Sequence, residues 1–328
     1  MHNSSDAAAH YQRGGAYKLA GNLSEAKAAF EAAMACDPTM PMIRYSLGTI
    51  LLAEGDYAEG YRLYEARHEI EAYRNPKPNL PFPEWRGEPV DGCRFLIWPE
   101  QGFGDQIQCA RFAPLLAAQG AQVTLLCSPA LVRLFGSLGV EVIAASGAVS
   151  FPNPDYWAMC MSLAGRMGYQ ADTLPNSPYL TGAGDRRGGA ARIGLMTKGD
   201  PRHPNDAVRS LSDNDAAQLA DLPGEIVSLD PTRTGAKDFQ DTADIIAGLD
   251  LVISVDTSVA HLAGAMGKAC WVMVPAFNTD WRWMHERADS PWYPSMRLFR
   301  QEVAGDWSGV IADVRDRLAM DFGRSTRS

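Results

Sequence analysis

The segment spanning residues 249–275 places the tightest limit on what this chain can fold into. Leu251, Val252, Ile253, Ser254 and Val255 form an apolar run without alternation, as expected of a strand buried on both faces. Asp256, Thr257 and Ser258 make a sharp polar turn, and a small-residue helix carrying His261 follows. A second apolar run, 269–274, stops at Pro275. Strand, helix and parallel strand in this order specify an α/β sheet. A helix that opens at the carboxyl end of a strand presents unpaired N–H groups and a positive dipole end, a ready site for a phosphate or diphosphate. In open α/β sheets ligands sit beyond those strand ends. Asp256, Thr257, Ser258 and His261 are therefore candidate ligand residues. The competing reading makes Asp256 a helix cap and His261 part of the packing.

Composition narrows the partners. The 328 residues suffice for two or three domains and are 46% hydrophobic and 21% charged, as in ordinary globular chains. A net charge of −9 argues against general nucleic-acid binding and against adhesion to anionic membranes. No stretch approaches the roughly 20 apolar residues of a transmembrane segment, and residues 1–12 lack the basic start and apolar core of a secretory signal. Cys36, Cys93, Cys109, Cys127, Cys160 and Cys270 form no C-x-x-C pair. They read as free thiols in a reducing compartment, so the expected location is cytoplasmic.

Residues 10–73 contain an internal repeat. Gly14 recurs as Gly48, Gly21 as Gly55, Leu23 as Tyr57, Ala26 as Gly60 and Phe30 as Tyr64, always at an offset of 34. Small residues fall where two antiparallel helices must touch. The period and positions resemble the tetratricopeptide repeat, although His10 and Arg44 stand where each unit usually starts with a bulky residue. Two units rarely stand alone, so the repeat is expected to dock on the rest of the chain. Residues 75–92, with prolines at 76, 78, 81, 83 and 89, read as an extended connector anchored by Trp85.

Strand–helix alternation begins beyond the connector. Strands are expected at 94–98, 122–127, 140–144 and 156–161, with helices at 105–119 and 129–138. The glycine-rich segment 182–189 reads as a hinge. The alternation restarts with strands at 192–197, 225–229, 251–255 and 269–274 and helices at 212–221, 241–248 and 307–319. The expected domains are repeat helices (1–74), connector (75–92), a first Rossmann-like lobe (93–185), a second (190–305), and a terminal helix and tail (306–328).

Two further loops follow strands. The first, 99–106, contains Gly102, Gly104 and Asp105. Its glycines permit close backbone approach to a ligand. A nicotinamide fingerprint would need a third glycine where Ile107 stands, and an acid near Cys127 that is absent. Asp105, at a helix N-terminus, is either a cap or an ionised carboxylate able to accept a proton from an attacking hydroxyl. The second loop carries Lys198, Arg202, His203, Arg209 and Ser210 and is either a diphosphate-neutralising segment or a solvated surface. Asp213 and Asp215 read as an acidic first helical turn and not as a metal site. Trp281, Trp283, Trp292 and Tyr293 suit either a sugar pocket or interface packing.

Together, Gly104-Asp105 after the first strand, Arg209-Ser210 closing a basic loop, Asp256-Thr257-x-x-x-His261, Trp281-Arg282-Trp283 and Ser290-Pro291-Trp292-Tyr293 resemble the heptosyltransferase-type family 9 glycosyltransferases. The whole chain resembles tetratricopeptide-repeat proteins with such a domain, and its layout is similar to O-linked N-acetylglucosamine transferases. The resemblance implies two facing Rossmann-like lobes (GT-B) and an inverting, metal-independent transfer from a nucleotide-diphosphate sugar, with no other cofactor. It implies Asp105 as catalytic base. It places Arg209, Asp256, Thr257, Ser258 and His261 at the donor, and Lys198 and Ser210 of the same basic loop join them as donor-binding candidates, with Gly102 and Gly104 as loop glycines. A protein acceptor recruited by the repeats is the expected partner. Lys198 stands where members of that family usually carry a small residue, and the first lobe is expected to be pared down. The alternative is a non-catalytic repeat scaffold that keeps a degenerate transferase domain.

Overall fold

The computed structural model describes residues 4–185 and 188–322. Positions 186 and 187 of the expected hinge, and the tail from 323, lie outside the described residues.

Two all-parallel sheets organise the α/β part. The first holds β1 (Arg94–Trp98), β2 (Gln122–Cys127), β3 (Glu141–Ala144) and β4 (Tyr156–Met159), in the order β3-β2-β1-β4. The second holds β5 (Arg192–Met196), β6 (Glu225–Ser228), β7 (Leu251–Val255), β8 (Cys270–Val274) and β9 (Met296–Arg300), in the order β6-β5-β7-β8-β9. Both are Rossmann-like, and the first is smaller by one strand. Every residue of β7 and β8 is buried, which is why their sequence is unbroken in hydrophobicity. Parallel pairing puts all the strand carboxyl ends of a sheet on one edge. The loops that follow the strands must therefore gather there.

Four helices precede the sheets: α1 (Ser4–Leu19), α2 (Leu23–Cys36), α3 (Pro41–Glu54) and α4 (Tyr57–Tyr64). The 34-residue offset is realised as a recurring contact. A Cβ on Gly14 would lie 2.6 Å from the Phe30 ring, and one on Gly48 would lie 2.9 Å from the Tyr64 nitrogen. Each hairpin closes on a glycine because a side chain there would hold the helices apart.

The helical segment is fixed to both lobes. Tyr57, Tyr61 and Tyr64 of α4 pack edge-on against Trp281 of the second lobe, and the Trp292 indole N–H donates to Tyr57 Oη at 3.1 Å. Toward the first lobe, Arg67 forms a two-pronged pair with Glu100, Nε to Oε2 at 2.9 Å and Nη2 to Oε1 at 3.0 Å. The two side chains are 1% and 0% exposed. The connector runs extended and is pinned by buried Trp85, whose N–H donates to the Trp157 carbonyl at 2.8 Å.

Four expectations differ from the structure. The helix expected over 129–138 is a single α-helical turn, Val132–Phe135, between the 3-10 turns Pro129–Leu131 and Gly136–Leu138. The helix expected over 105–119 is two helices, α5 (Phe103–Ala110) and α6 (Phe112–Ala118), meeting at Arg111. Pro114 lacks the N–H that would bond the Ala110 carbonyl and its ring crowds that turn. Strand β9 was not expected, because Arg297 and Arg300 interrupt its apolar pattern at the sheet edge. The described part of segment 182–189 is strapped to the Phe239–Ala247 helix. Ala183 N–H donates to Asp244 Oδ1 at 2.8 Å, and a Cβ on Gly182 would lie 2.2 Å from the Ala243 carbonyl oxygen. Gly182 and Gly184 serve close approach to that helix, whereas a Cβ on Gly188 or Gly189 would meet nothing within 4 Å.

Candidate functional site

A cavity of about 1940 Å³ lies between the lobes, at the carboxyl ends of both sheets. Ligand sites typically occupy about 300–1,000 Å³, so it has room for two substrates. Gly102, Gly104, Asp105, Lys198, Arg209, Asp256, Thr257, Ser258 and His261 all line it. Lys18, Tyr45, Thr49 and Tyr64 of the helical segment complete one wall. Ser210 is the exception among the candidates. Its hydroxyl accepts from Gly199 N–H at 2.8 Å and lies 2.9 Å from Asp206 Oδ1, bracing the basic loop from behind.

The loop after β1 places Asp105 in the first turn of α5. One oxygen accepts from Gly102 N–H at 2.8 Å, which is the capping role. The other accepts from Arg282 Nη2 at 2.5 Å, across the cleft. The side chain keeps 19% of its exposure. Burial pushes its carboxyl upward from the ordinary aspartate value, and Arg282 opposes that shift. Asp105 thus stands at N3 of α5, bonding back to the N-cap Gly102, and presents its other oxygen to Arg282 at the cleft.

The loop after β7 places Thr257 at the N-cap of the Ser258–Ala265 helix, with no side-chain cap. Its hydroxyl pairs instead with Ser254 Oγ at 3.1 Å. The first N–H groups of that helix lack intrahelical partners, and Thr257, Ser258 and Val259 border the cavity. Asp256 is not the cap. Its carboxyl is pushed up to about 6 by burial and by Asp280, with Arg209 pulling the other way.

α5 and the Ser258–Ala265 helix meet at their starts. A Cβ on Gly104 would lie 2.8 Å from His261 Cδ2, so glycine lets the helices touch. His261 is buried, with Nδ1 3.0 Å from Tyr293 Oη and its ring 5.2 Å from that of Trp283. Burial and the nearby Arg282 push its imidazole down to about 3, so it is neutral at pH 7. Unfolding restores an ordinary affinity, near 6.5, so the unfolded state binds the extra proton between those values. His261 thus contributes stability above pH 6.5 that is lost as pH falls toward 3, on the order of 1 kcal/mol per pH unit. Urea unfolding at pH 7 and pH 5 should show this slope, and His261→Gln should flatten it.

In the basic loop, Arg209 is largely buried and its Nε is 3.5 Å from Asp206 Oδ1, too long for a hydrogen bond. A Cβ on Gly199 would lie 2.8 Å from the Arg209 guanidinium. Lys198 is placed differently. Its ammonium pairs with Asp213 Oδ1 at 2.5 Å in an exposed position. Asp213 and Asp215 lie in the first turn of the Asp213–Ala220 helix, where the N-cap Ser212 Oγ accepts from Asp215 N–H at 3.1 Å, the acidic first turn read from the sequence.

Trp283, Trp292 and Tyr293 are buried packing residues, and Trp281 is buried while touching the cavity edge. Tyr179, Trp292 and Tyr293 surround the Arg111 guanidinium at 4.9, 5.1 and 4.7 Å. Arg111 Nη1 also donates to the carbonyls of Pro175 and Trp292, tying the lobes together. Sequence reasoning missed Arg111, Asp280 and the bridging role of Arg282. The available signal for Arg282 was a guanidinium between two large apolar neighbours, which needs buried partners.

No family model matches the chain. Protein FlbA of Caulobacter vibrioides is 26% identical over 374 aligned positions, which cover 97% of this chain and 62% of that protein. The chain thus spans about three fifths of that relative. Among solved structures, a glycosyl transferase family 9 protein from Veillonella parvula overlaps with a TM-score of 0.48 at 11% identity, covering 74% of this chain and 100% of its own. The iron-containing dodecameric glycosyltransferase TibC from enterotoxigenic E. coli overlaps at 0.46 and 12% identity, covering 68% and 67%. An O-GlcNAc transferase from Thermobaculum terrenum overlaps at 0.29 and 14% identity, covering 99% and 88%. Likeness at this level assigns no activity, so function is argued from the cleft.

Proposed function

We propose that this chain is a glycosyltransferase that moves a sugar from a nucleotide-diphosphate donor to an acceptor hydroxyl, with inversion and without a metal. One observation carries the reading. Loops after β1, β5 and β7 bring an acid, a largely buried guanidinium and an uncapped helix start to a single interlobe cavity. The second lobe takes the donor. Its diphosphate lies against the N–H groups at Thr257 and Ser258, with Arg209 opposite. These fixed charges stabilise the negative charge that develops on the departing nucleoside diphosphate. The acceptor enters from the first lobe and the helical segment. Asp105 takes the proton of its hydroxyl as the oxygen attacks the anomeric carbon, and attack from the face opposite the leaving group inverts that carbon.

His261, neutral and held by Tyr293, supports the helix start as an uncharged group and adds no charge to the diphosphate. Lys198 contributes a diffuse positive field, being paired with Asp213. A protein acceptor is the reading best matched to a cleft walled in part by repeat helices, since such helices suit peptide surfaces.

A calorimetric panel of nucleoside diphosphates tests the proposal. Binding of one nucleotide at micromolar to submillimolar level is expected. Failure of every nucleotide at millimolar concentration would leave a scaffold. Arg209→Ala should weaken the binding nucleotide by about 10- to 100-fold, the worth of one or two charge-assisted hydrogen bonds. An unchanged Kd would remove Arg209 from the donor site.

A further inference from the structure

Resting on that reading of the cleft, we propose that Arg282 is the positioning residue for the Asp105 base: reaching over from the second lobe, it orients the carboxylate so that the base is competent only while the lobes are docked. The guanidinium has no freedom of its own. It is 3% exposed. Nη1 donates to Asp280 Oδ2 at 2.7 Å, Nε donates to Gln108 Oε1, and Nη2 donates to Asp105 Oδ1. Its face lies 4.6 Å from the Trp281 ring centre. Asp280 is fixed in turn, because the same carboxylate accepts from Arg282 N–H at 2.9 Å as the cap of the Trp281–Trp283 turn.

Asp105 is therefore gripped from two sides. Gly102 N–H holds one oxygen from its own loop, and Arg282 holds the other from the opposite lobe. A general base needs both an ionised state and a fixed direction. The groups facing it are of mixed sign. Asp280 and Glu100 disfavour its ionisation and Arg282 favours it, while Tyr64 and His203 stand nearby. Arg282 is thus the main positive charge opposing the upward shift that burial imposes on the Asp105 carboxyl. Asp280 is the partner that keeps Arg282 from collapsing onto Asp105 alone. A purely structural tie between lobes would need only the Gln108 bond and would leave Asp105 chemically unaffected.

Carboxyl-carbon NMR of aspartate-labelled full-length protein separates these cases, with the Asp105 resonance assigned by its loss in Asp105→Asn. In Arg282→Gln the Asp105 midpoint should rise by about 1–3 pH units, the usual effect of removing an opposite charge at this range. An unmoved midpoint in the folded variant overturns the proposal. Should Arg282→Gln not fold, the parental protein serves. Its Arg282 side-chain nitrogen shifts should follow the Asp105 midpoint, and that titration should vanish in Asp105→Asn. Nitrogen shifts indifferent to Asp105→Asn overturn the proposal equally.

With a donor identified, Arg282→Lys should lower kcat by at least about tenfold while the donor KM stays within about threefold. The reverse pattern would make Arg282 a donor-binding group and overturn the positioning role. A failed nucleotide panel overturns the transfer reading and the role together. A static Asp105 midpoint beside a successful panel overturns the role of Arg282 alone.

Discussion

Asp105→Asn is expected to keep nucleotide affinity within about threefold and to lose sugar transfer by a factor on the order of 10²–10⁴, the usual contribution of a general base. The amide nearly preserves size and still accepts from Gly102 N–H, so α5 retains its cap. It cannot accept a proton from an attacking hydroxyl. Its neutral group also leaves Arg282 with one carboxylate in place of two, because Asp280 remains. Nucleotide binding should survive because the uncapped helix start and Arg209 belong to the second lobe. Product formation measured alongside calorimetric Kd separates the two effects. Parental rates of transfer by Asp105→Asn would remove the base from this position.

Arg67→Ala should be the most destabilising single change in the contact between the helical segment and the lobes, at about 3–5 kcal/mol. Arg67 and Glu100 are both fully buried, and Glu100 also accepts from Met161 N–H at 2.8 Å and from Asn75 Nδ2 at 2.9 Å. Removing the guanidinium strands a carboxylate in the interior, and its desolvation is no longer offset. The effect should reach the cleft. Glu100 begins the loop that carries Asp105, and the next residue, Gln101, adopts a left-handed conformation with φ of 59° while donating to Tyr64 Oη at 3.0 Å. Denaturant unfolding followed by tryptophan fluorescence would measure the loss. A variant as stable as the parent would show that Glu100 finds another partner or takes up a proton. Transfer activity should fall with stability, because the helical segment holds the loop that carries Asp105 in place.

These two variants probe different kinds of information. Asp105 was legible as a candidate because a carboxylate three residues into a helix, after a glycine pair and a strand, has few roles. Arg67 was silent. An arginine at the end of the repeat is ordinarily solvated, and nothing local says that Glu100, 33 positions away, will bury with it. The same division runs through the fold. Strands β1, β2 and β7 were legible at their observed limits because parallel strands covered on both faces need uninterrupted apolar runs. The edge strand β9 was not, since an edge position tolerates Arg297 and Arg300.

Glycine misled where its use was long-range. Segment 182–189 has the composition of a hinge, yet Gly182 and Gly184 are small because the backbone of the Phe239–Ala247 helix lies against them. Gly104 carries a comparable hidden requirement toward His261. The aromatic residues Trp283, Trp292 and Tyr293 likewise admitted two readings, and burial between the lobes decided for packing.

By itself, the order of residues determined the α/β class, the parallel sense of the sheets, the glycines spaced 34 apart at which the N-terminal helices touch, and the strand ends where polar loops emerge. Each depends on periodicity and on chemistry within a few neighbouring positions. Tertiary structure alone decided that Arg282 meets Asp105, that Thr257 and not Asp256 is the helix N-cap, that Ser210 braces while Arg209 lines the cavity, and that N-terminal helices wall the cleft. These are pairings between charges and surfaces far apart in the chain. Their free energy comes from joint burial, and joint burial exists only once the lobes have come together.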